Sequence, residues 1–428
     1  MTVLGADNPL RPAAKGVKGW LMARAFAAAP WVFGVLRHIW PIPHVGKFYA
    51  VTLYDDVREV FATDDVFMVP YKANIDVLTG GEPFFLGMQR TPAYDAAMTA
   101  MRSVILREDL PRLATQAQAL AEIRVAQSGG RIDVVADLIR PVTFDLLGPY
   151  FGVPPVPNAR LDVWATRLFE FQFAGSPKDT DLRAQVDQIA PAFRAHIDAE
   201  SARRKAAKPT KKSPGPDDVL ARCLAQQAAG DAWFTDTQIR TALLCMVVGG
   251  PPQPPMVVPQ AMEQLLRRPD ALAAAQAAAR ANDDAALFAI VREAMRFDPL
   301  APGLPRIAIR DATIAAGTGR ATNVPQGATV IAGFASAMMD DSRLPAPKDF
   351  NPGRRDHEYI HFGHGLHECF GRYINDATLH LMLKPLLQRP GLRRAEGPAG
   401  HLTKNGIFAE RLVVRFDAVS DSLQLNSA

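Results

Sequence analysis

The stretch of this sequence with the clearest chemical potential is residues 362–371, which read Phe-Gly-His-Gly-Leu-His-Glu-Cys-Phe-Gly. Two glycines alternate with polar residues, and Cys369 comes just before a run with helical spacing, Tyr373 to Leu387. Glycine lets a backbone approach a flat object closely, and the N-terminus of a helix favours a thiolate. A thiolate held in this way is a good axial ligand for iron. The pattern therefore favours a cysteine ligand to iron, beside a flat group.

Two other interpretations of the same stretch remain open on the residues alone. Four of the nine histidines lie close to Cys369, at positions that could gather zinc ligands on a helix: His357, His361, His364 and His367. However, Gly363 and Gly365 would break a helix there, and the second cysteine of a common zinc site is missing. The other alternative is a buried cysteine without a ligand role, which leaves the glycine pattern unexplained.

At these residues the sequence resembles the cytochromes P450, whose haem-binding signature is Phe-x-x-Gly-x-x-x-Cys-x-Gly with a basic residue two before the cysteine. Every place of the signature is filled, by Phe362, Gly365, His367, Cys369 and Gly371, and Gly363 lies in the same loop. The resemblance implies a b-type haem (iron protoporphyrin IX) bound by these residues. It makes Cys369 the ligand of the iron and His367 a donor to a haem propionate.

The resemblance extends upstream to Glu293-Ala-Met-Arg296, a Glu-x-x-Arg pair in an apolar helix. In the family this pair is buried and braces the loop that carries the cysteine, which would make it a structural element here. The resemblance also implies that Arg306, after Pro305, reaches a propionate. Our candidate for a second propionate arginine, on an early helix, is Arg102.

Residues 335–352 resemble the segment before the cysteine loop that the family calls the meander, but one position differs from the family's usual residue. Asp349 stands where an arginine often completes a triad with Glu293 and Arg296. Arg354 or Arg355 could substitute for it, or the triad could be altered.

A larger departure falls on the central helix, which in the family carries an acid and an alcohol over the haem to deliver protons during oxygen activation. The aligned segment reads Gly249-Gly250-Pro-Pro-Gln253-Pro-Pro, so the acid position is Pro252 and the alcohol position is Gln253. Proline has no N–H and costs about 3 kcal/mol inside a helix, so we expect the helix to break or kink here. Gln253 is our candidate for a distal relay, with Gly249 and Gly250 beside it as further catalytic-site residues.

Three functions follow from the resemblance and this departure. The first is a monooxygenase for a small to medium apolar substrate, with water or Gln253 replacing the relay and possible electron supply from a ferredoxin and its reductase. The second is a peroxide- or hydroperoxide-dependent enzyme of the peroxygenase, isomerase or dehydratase type. The third is a non-catalytic haem or ligand-binding protein. Phe84, Phe85 and Leu86 are candidates for a pocket-facing loop, and ordinary core is an equal alternative.

Composition narrows the class of protein. The chain has 428 residues, 48% hydrophobic and 21% charged, which excludes a disordered chain, a collagen and a disulfide scaffold. The net charge of +4 is too small to indicate nucleic acid as a partner. Three cysteines fit a reducing compartment, so we predict a cytoplasmic protein. The apolar stretch 20–40 is interrupted by charges and proline, which argues against a transmembrane segment and favours a packed N-terminal helix.

The spacing of apolar residues predicts a mainly α fold with small β-sheets, in a single cytochrome P450 domain over residues 1–428. The predicted helices are 114–127, 191–208, 236–248, 259–280 and 283–297, and the predicted strands include 48–53, 306–309 and 328–331. Residues 203–216, with six cations followed by proline and glycine, are predicted as a solvated linker.

Overall fold

Helices form most of the computed structural model, which describes residues 3–12, 32–176, 178–207 and 215–417. In chain order they are α1 (32–39), α2 (Tyr54–Ala62), α3 (Lys72–Thr79), α4 (Pro92–Val104), α5 (Leu110–Gln127), α6 (Arg140–Phe151), α7 (Leu161–Phe173), α8 (Thr180–Ala207), α9 (Val219–Ala228), α10 (Asp236–Gly249), α11 (Pro254–Leu266), α12 (Pro269–Ala281), α13 (Asp284–Phe297), α14 (Phe334–Ala337) and α15 (Arg372–Leu387). A π-helix, Val134–Ile139, runs directly into α6. The prediction of a mainly α fold is confirmed.

The strands within these ranges are short and make four small sheets. They are β1 (His44–Val45), β2 (Phe48–Val51), β3 (Phe67–Met68), β4 (Arg131–Asp133), β5 (Leu304–Ala308), β6 (Ala312–Ile314), β7 (Thr322–Val324), β8 (Thr329–Ala332), β9 (Arg393–Arg394), β10 (Thr403–Asn405), β11 (Phe408–Arg411) and β12 (Val413–Arg415). The largest sheet has the order β1-β2-β8-β5-β3, in which β2 and β8 are parallel and the other neighbours antiparallel. A three-stranded sheet, β4-β12-β9, and the hairpins β6-β7 and β10-β11 complete the set.

Two apolar cores hold these elements together. The larger core lies among the helices and includes Met101, Leu138 and Phe193, and the smaller core lies against the five-stranded sheet around Phe61 and Phe334. The cysteine loop lies between them, because it contacts α2 on one side and continues into α15 on the other.

An N-terminal strap, residues 3–12, is fixed across α7 and the start of α8. Arg11 donates to Glu170 at 2.6 Å and to Asp179 at 2.6 Å, and Arg167 donates to the carbonyls of Asn8 and Pro9. The strap is therefore held by charge-assisted hydrogen bonds from residues more than 150 positions away in the sequence.

The predicted helix 259–280 is wrong as one element, since α11 ends at Leu266 and α12 begins at Pro269. Pro269 cannot donate a backbone hydrogen bond and is favoured at the first position of a helix, so it starts a new one.

The predicted linker 203–216 is also corrected in its first part, because residues 203–207 are the last turns of α8. Arg203 pairs with Glu200, and Arg204 pairs with both Glu200 and Asp218. These cations are therefore held by acids rather than simply solvated. Residues 208–214 of the predicted linker lie outside the described part of the chain, as do residues 13–31, which include most of the predicted N-terminal helix.

No helix within the described ranges is both long enough and apolar enough to cross a membrane.

Candidate active site

The loop that carries Cys369 is closed by backbone hydrogen bonds. The N–H of Cys369 donates to the carbonyl of Phe362 at 2.9 Å, and the N–H of Arg372, the first residue of α15, donates to the carbonyl of Cys369 at 3.1 Å. Gly365 has a φ of +74°, and a Cβ there would lie 2.7 Å from the carbonyl oxygen of Phe61. Only glycine fits both this backbone and this contact, so Gly365 fixes the loop against the end of α2.

Cys369 is half-buried, and the thiol accepts a hydrogen bond from the backbone N–H of Gly371. Burial raises the pKa of Cys369 to about 11, despite that bond. Burial therefore opposes the thiolate that the start of α15 favours. A bound metal cation would stabilise the thiolate, because coordination deprotonates a thiol.

Two basic side chains near the loop lack an acidic partner within the described residues. The Nε2 atom of His367 is buried without a hydrogen-bond partner, and burial together with the charge of Arg306 lowers the pKa of His367 to about 4. Arg306 is buried on β5 above the ring of Phe61 and donates to the carbonyl of Pro305 at 3.0 Å. A buried cation without an anion and a buried ring nitrogen without a hydrogen bond are both costly. A flat cofactor with carboxylates, such as haem with its two propionates, fits this donor set.

The contact between α4 and the cysteine loop is made by Tyr94, a residue that the sequence did not single out. Its hydroxyl donates to the carbonyl of Leu366 at 2.7 Å, and its ring meets the ring of His367 edge-on at 6.1 Å. Thr91 caps α4 and Pro92 is its first residue. This pair is the sequence signal that could have shown where α4 begins, and so that Tyr94 lies in its first turn. Arg102, two turns beyond Tyr94, is exposed, and no described side chain pairs with it. Its role at a propionate stays a prediction.

Glu293 is the centre of a fully buried network that links α13 to the segment before the cysteine loop. Arg296 donates to both carboxylate oxygens, at 2.7 and 2.8 Å. Of the two candidates for a third member, the structure brings Arg354 to Glu293, at 3.2 Å, and leaves Arg355 exposed. The hydroxyl of Tyr359 donates to Glu293 at 3.0 Å.

The same arginines also hold the backbone of the segment that leads to the loop. Arg296 donates to the carbonyls of Met338 and Pro347, and Arg354 donates to those of Pro345 and Ala346. Two buried guanidinium groups therefore fix several turns of irregular chain that would otherwise leave their carbonyls unsatisfied.

The predicted break in the central helix is confirmed. Helix α10 ends at Gly249 and α11 begins at Pro254. The backbone N–H of Gln253 donates to Gly250 rather than to Gly249, and the side-chain amide of Gln253 donates to the carbonyl of Gly249 instead. The geometry thus gives Gln253 a capping contact, and its relay role stays a prediction.

Phe84 and Phe85 are buried, on the turn that precedes α4. The ring of Phe85 lies 5.4 Å from the ring of Phe370, the residue directly after Cys369. The loop 84–86 therefore belongs to the surroundings of the cysteine loop, although Phe85 is also part of the large core.

The zinc alternative is not supported by the arrangement of the histidines. Within the described ranges, no group of three or more His, Cys, Asp or Glu side chains could hold a metal ion. Gly363 and Gly365 both have positive φ, which turns the chain so that the histidines do not share a helix face. Both ring nitrogens of His361 are buried without a partner, and His364 faces Arg58 at 3.4 Å.

Comparisons with known proteins identify the group to which this arrangement belongs. A profile of the family Cytochrome P450 matches residues 166–395, more than half of the chain. The chain is 26% identical over 279 residues to the cyclomarin C epoxidase CymV of Salinispora arenicola, covering 65% of each protein. It is 24% identical to the mycinamicin IV hydroxylase/epoxidase of Micromonospora griseorubida, covering 84% of this chain and 88% of that protein.

Solved structures agree on the fold. The open form of the cytochrome P450 EryK from S. erythraea superposes with a TM-score of 0.76 at 21% identity, covering 92% of this chain and 97% of that one. The chain belongs to the cytochrome P450 family and is an oxidoreductase of that family, whose cofactor is a haem iron with a thiolate ligand.

Proposed function

We propose that this protein is a haem b monooxygenase that hydroxylates or epoxidises a small to medium apolar substrate, using dioxygen and electrons from a ferredoxin and its reductase. The relatives named above are a hydroxylase/epoxidase and an epoxidase, which supports oxygen insertion as the reaction class. The observation that carries the proposal is a braced cysteine loop beside two donors without a counterpart among the described residues. These donors are the buried guanidinium of Arg306 and the buried Nε2 of His367.

In this proposal Cys369 ligates the iron, and His367 and Arg306 bind the propionates. The other glycines and Phe362 shape the loop, while Glu293 and Arg296 keep it in place from behind. Arg102 would have to reach a propionate from an exposed position. Tyr94 is the polar residue of α4 that contacts the cysteine loop directly. Bound haem supplies a redox-active iron whose reactivity the thiolate increases.

The proton path is proposed to use water at the break between α10 and α11. In a continuous helix the N–H groups of residues 251 and 252 would satisfy the carbonyls of Val247 and Val248, but both donors are prolines. Gln253 already caps Gly249. The carbonyls left over need other donors, and ordered water is the usual one in a buried site. Such water can pass protons without an acid or alcohol side chain.

The same break favours a second candidate, a peroxide-dependent reaction. With Pro252 and Gln253 in place of an acid and an alcohol, no side chain at this point can act as a general acid at neutral pH. A peroxide is already reduced and protonated to the state that dioxygen reaches only after it takes up electrons and protons. It therefore depends less on a general acid.

One experiment separates the candidates. The purified protein is first reduced in carbon monoxide, where we expect the absorption spectrum typical of thiolate ligation, and Cys369→Ser is expected to lose it. Apolar compounds that shift the haem absorption are then incubated with the protein in two series. One series contains ferredoxin, reductase and NADH, and the other contains hydrogen peroxide or a fatty acid hydroperoxide.

Product that forms only with the electron donors supports the monooxygenase. Product that forms only with peroxide supports the second candidate and refutes the first. Absence of product in both series, with ligands still shifting the spectrum, would favour a haem-binding protein without catalysis. An unchanged spectrum in Cys369→Ser would refute the assignment of the ligand.

A further inference from the structure

A cavity of about 460 Å³, open to solvent on one side, is lined by the N-terminal strap and contains no residue of the cysteine loop. Pro9 and Leu10 of the strap form one wall, and Val135 and Ala136 of the π-helix form another. Arg140, the first residue of α6, lines the cavity as well. The volume is in the range of sites that bind small molecules, and π-helical turns occur often at functional sites.

Arg140 is 94% buried, and no described carboxylate pairs with it. Its one side-chain hydrogen bond within the described residues goes to the hydroxyl of Thr166, at 3.3 Å, a neutral acceptor. Burial, as the largest cause, lowers the pKa of Arg140 to about 10. Asp162 and Asp133 act on the guanidinium electrostatically, but neither forms an ion pair with it.

The described acids that act on Arg140 are already engaged by other donors. Asp162 forms a forked pair with Arg160, at 2.7 and 3.0 Å, and Asp133 accepts hydrogen bonds from the backbone of Val135, Ala136 and Leu412. At the rim of the cavity, Asp7 and Glu410 are exposed to solvent.

The sequence also limits what the rest of the chain can supply. Residues 13–31, which follow the strap, contain no Asp or Glu. Among all residues outside the described ranges, the only acidic side chain is that of Asp421. Asp421 is therefore the acid of this sequence to test as a partner for Arg140, against a molecule from solution.

We propose that this cavity binds an organic carboxylate with a short apolar tail, separately from the haem site. Arg140 would donate two parallel hydrogen bonds to the carboxylate, because the planar guanidinium matches the geometry of a carboxylate. Leu10, Val135 and Ala136 would enclose the tail. Such a ligand would also contact the strap that lies across α7 and the start of α8.

The test uses octanoate on the haem-loaded protein, because the haem absorption reports the active site and calorimetry reports all binding. Wild-type protein is expected to bind octanoate at a site that leaves the haem spectrum unchanged. Arg140→Met should weaken that site about tenfold or more, the usual cost of a lost charge-assisted pair. The matched control is Arg183→Met. Arg183 lies on α8, is exposed, is paired with Asp187 and does not line the cavity, so the affinity of this variant for octanoate should stay within about threefold of wild type.

Octanol and inorganic phosphate serve as comparators, since one lacks the charge and the other lacks the tail, and both should bind more weakly than octanoate. Arg140→Met should melt no lower than wild type without ligand, and octanoate should raise the melting temperature of wild type alone. If Arg140→Met fails to fold, Arg140→Lys is measured instead and should bind octanoate several-fold more weakly.

The proposal is overturned if wild type shows no spectrally silent binding, or if Arg140→Met (or its Lys replacement) binds as wild type does. It is also overturned if Asp421→Asn, or removal of the C-terminal residues 418–428, strengthens octanoate binding tenfold, because the chain's own carboxylate then occupies Arg140.

Discussion

Glu293 accepts hydrogen bonds from two arginines and a tyrosine while having no exposed surface. Without Arg354, Glu293 keeps its pair with Arg296, but one donor to Glu293 and the donors to the carbonyls of Pro345 and Ala346 are lost. Buried acceptors left without their donor cost roughly 1–3 kcal/mol. Arg354→Met is therefore expected to lower the free energy of unfolding by about that amount and to weaken retention of haem, since Arg354 also holds the chain before the cysteine loop.

The matched control is Arg355→Met, because Arg355 is the neighbouring arginine and is exposed. Urea unfolding of both variants, followed by the haem absorption and by far-UV circular dichroism, makes the comparison. Equal losses in the two variants would show that Arg354 has no special place in the network.

His361 gives a prediction about pH. Burial, with repulsion from Arg292 and Arg372 that nearby Asp356 only partly offsets, lowers the pKa of His361 to about 3, whereas an unfolded chain has a histidine pKa of about 6.5. The unfolded state therefore takes up more protons below pH 6.5, so stability decreases as pH falls from about 6.5 towards 3.

This single residue should contribute a loss of about 2 kcal/mol at pH 5 relative to pH 7.5. His361→Phe should remove that part of the acid sensitivity, while His401→Phe, at an exposed position, should not. Urea midpoints at the two pH values measure the difference, and identical pH slopes for wild type and His361→Phe would contradict the burial argument.

Among the elements, the break between α10 and α11 departs most from a regular helix and also lies where the family's proton relay is expected. Gln253 stabilises the break by capping the carbonyl of Gly249. In Gln253→Ala that carbonyl must find another donor, and the water in the break is expected to rearrange. We expect haem binding to be unchanged and the share of electrons lost as hydrogen peroxide to increase several-fold.

NADH consumption, product and hydrogen peroxide are measured together for this test. Gln260→Ala is the control, because Gln260 lies in the same α11 but binds the carbonyls of Asp298 and Pro299, beyond the break. Its coupling should equal that of wild type even though its stability falls. Unchanged coupling in Gln253→Ala would remove the break from the proton path.

At the scale of the molecule, what the sequence predicts well is local. The cysteine loop and the proline break each depend on neighbouring residues, such as Gly365 and Pro252, so their spacing is visible in the chain. The choice of Arg354 over Arg355 is not, because it depends on a partner 61 positions away. Tyr94 contacts a loop residue 272 positions away, and Arg11 of the strap pairs with a residue 159 positions away. These contacts are set by tertiary packing, and no periodic pattern of residues in a single sequence predicts them.

The balance of charge across the whole protein depends on the cofactor. Without haem, Arg306 is a buried cation that no described carboxylate pairs with, and with haem it would face a propionate. Arg306→Met should therefore raise the free energy of unfolding of the haem-free protein, by roughly 1–4 kcal/mol, since an apolar side chain replaces an unpaired charge. In the haem-loaded protein the same change should speed haem loss about tenfold or more.

Urea unfolding of the protein after haem extraction, and transfer of haem to an excess of apomyoglobin, give the two measurements. Arg310→Met is the control, because Arg310 follows the same strand β5 but is exposed and paired with Asp65. It should change neither quantity. A gain in stability without haem, together with faster haem loss from the loaded protein, is expected only if the anion that pairs with Arg306 is part of the cofactor. A loss of stability in both states would mean that Arg306 is simply part of the core, and the proposed propionate site would then have to be placed elsewhere.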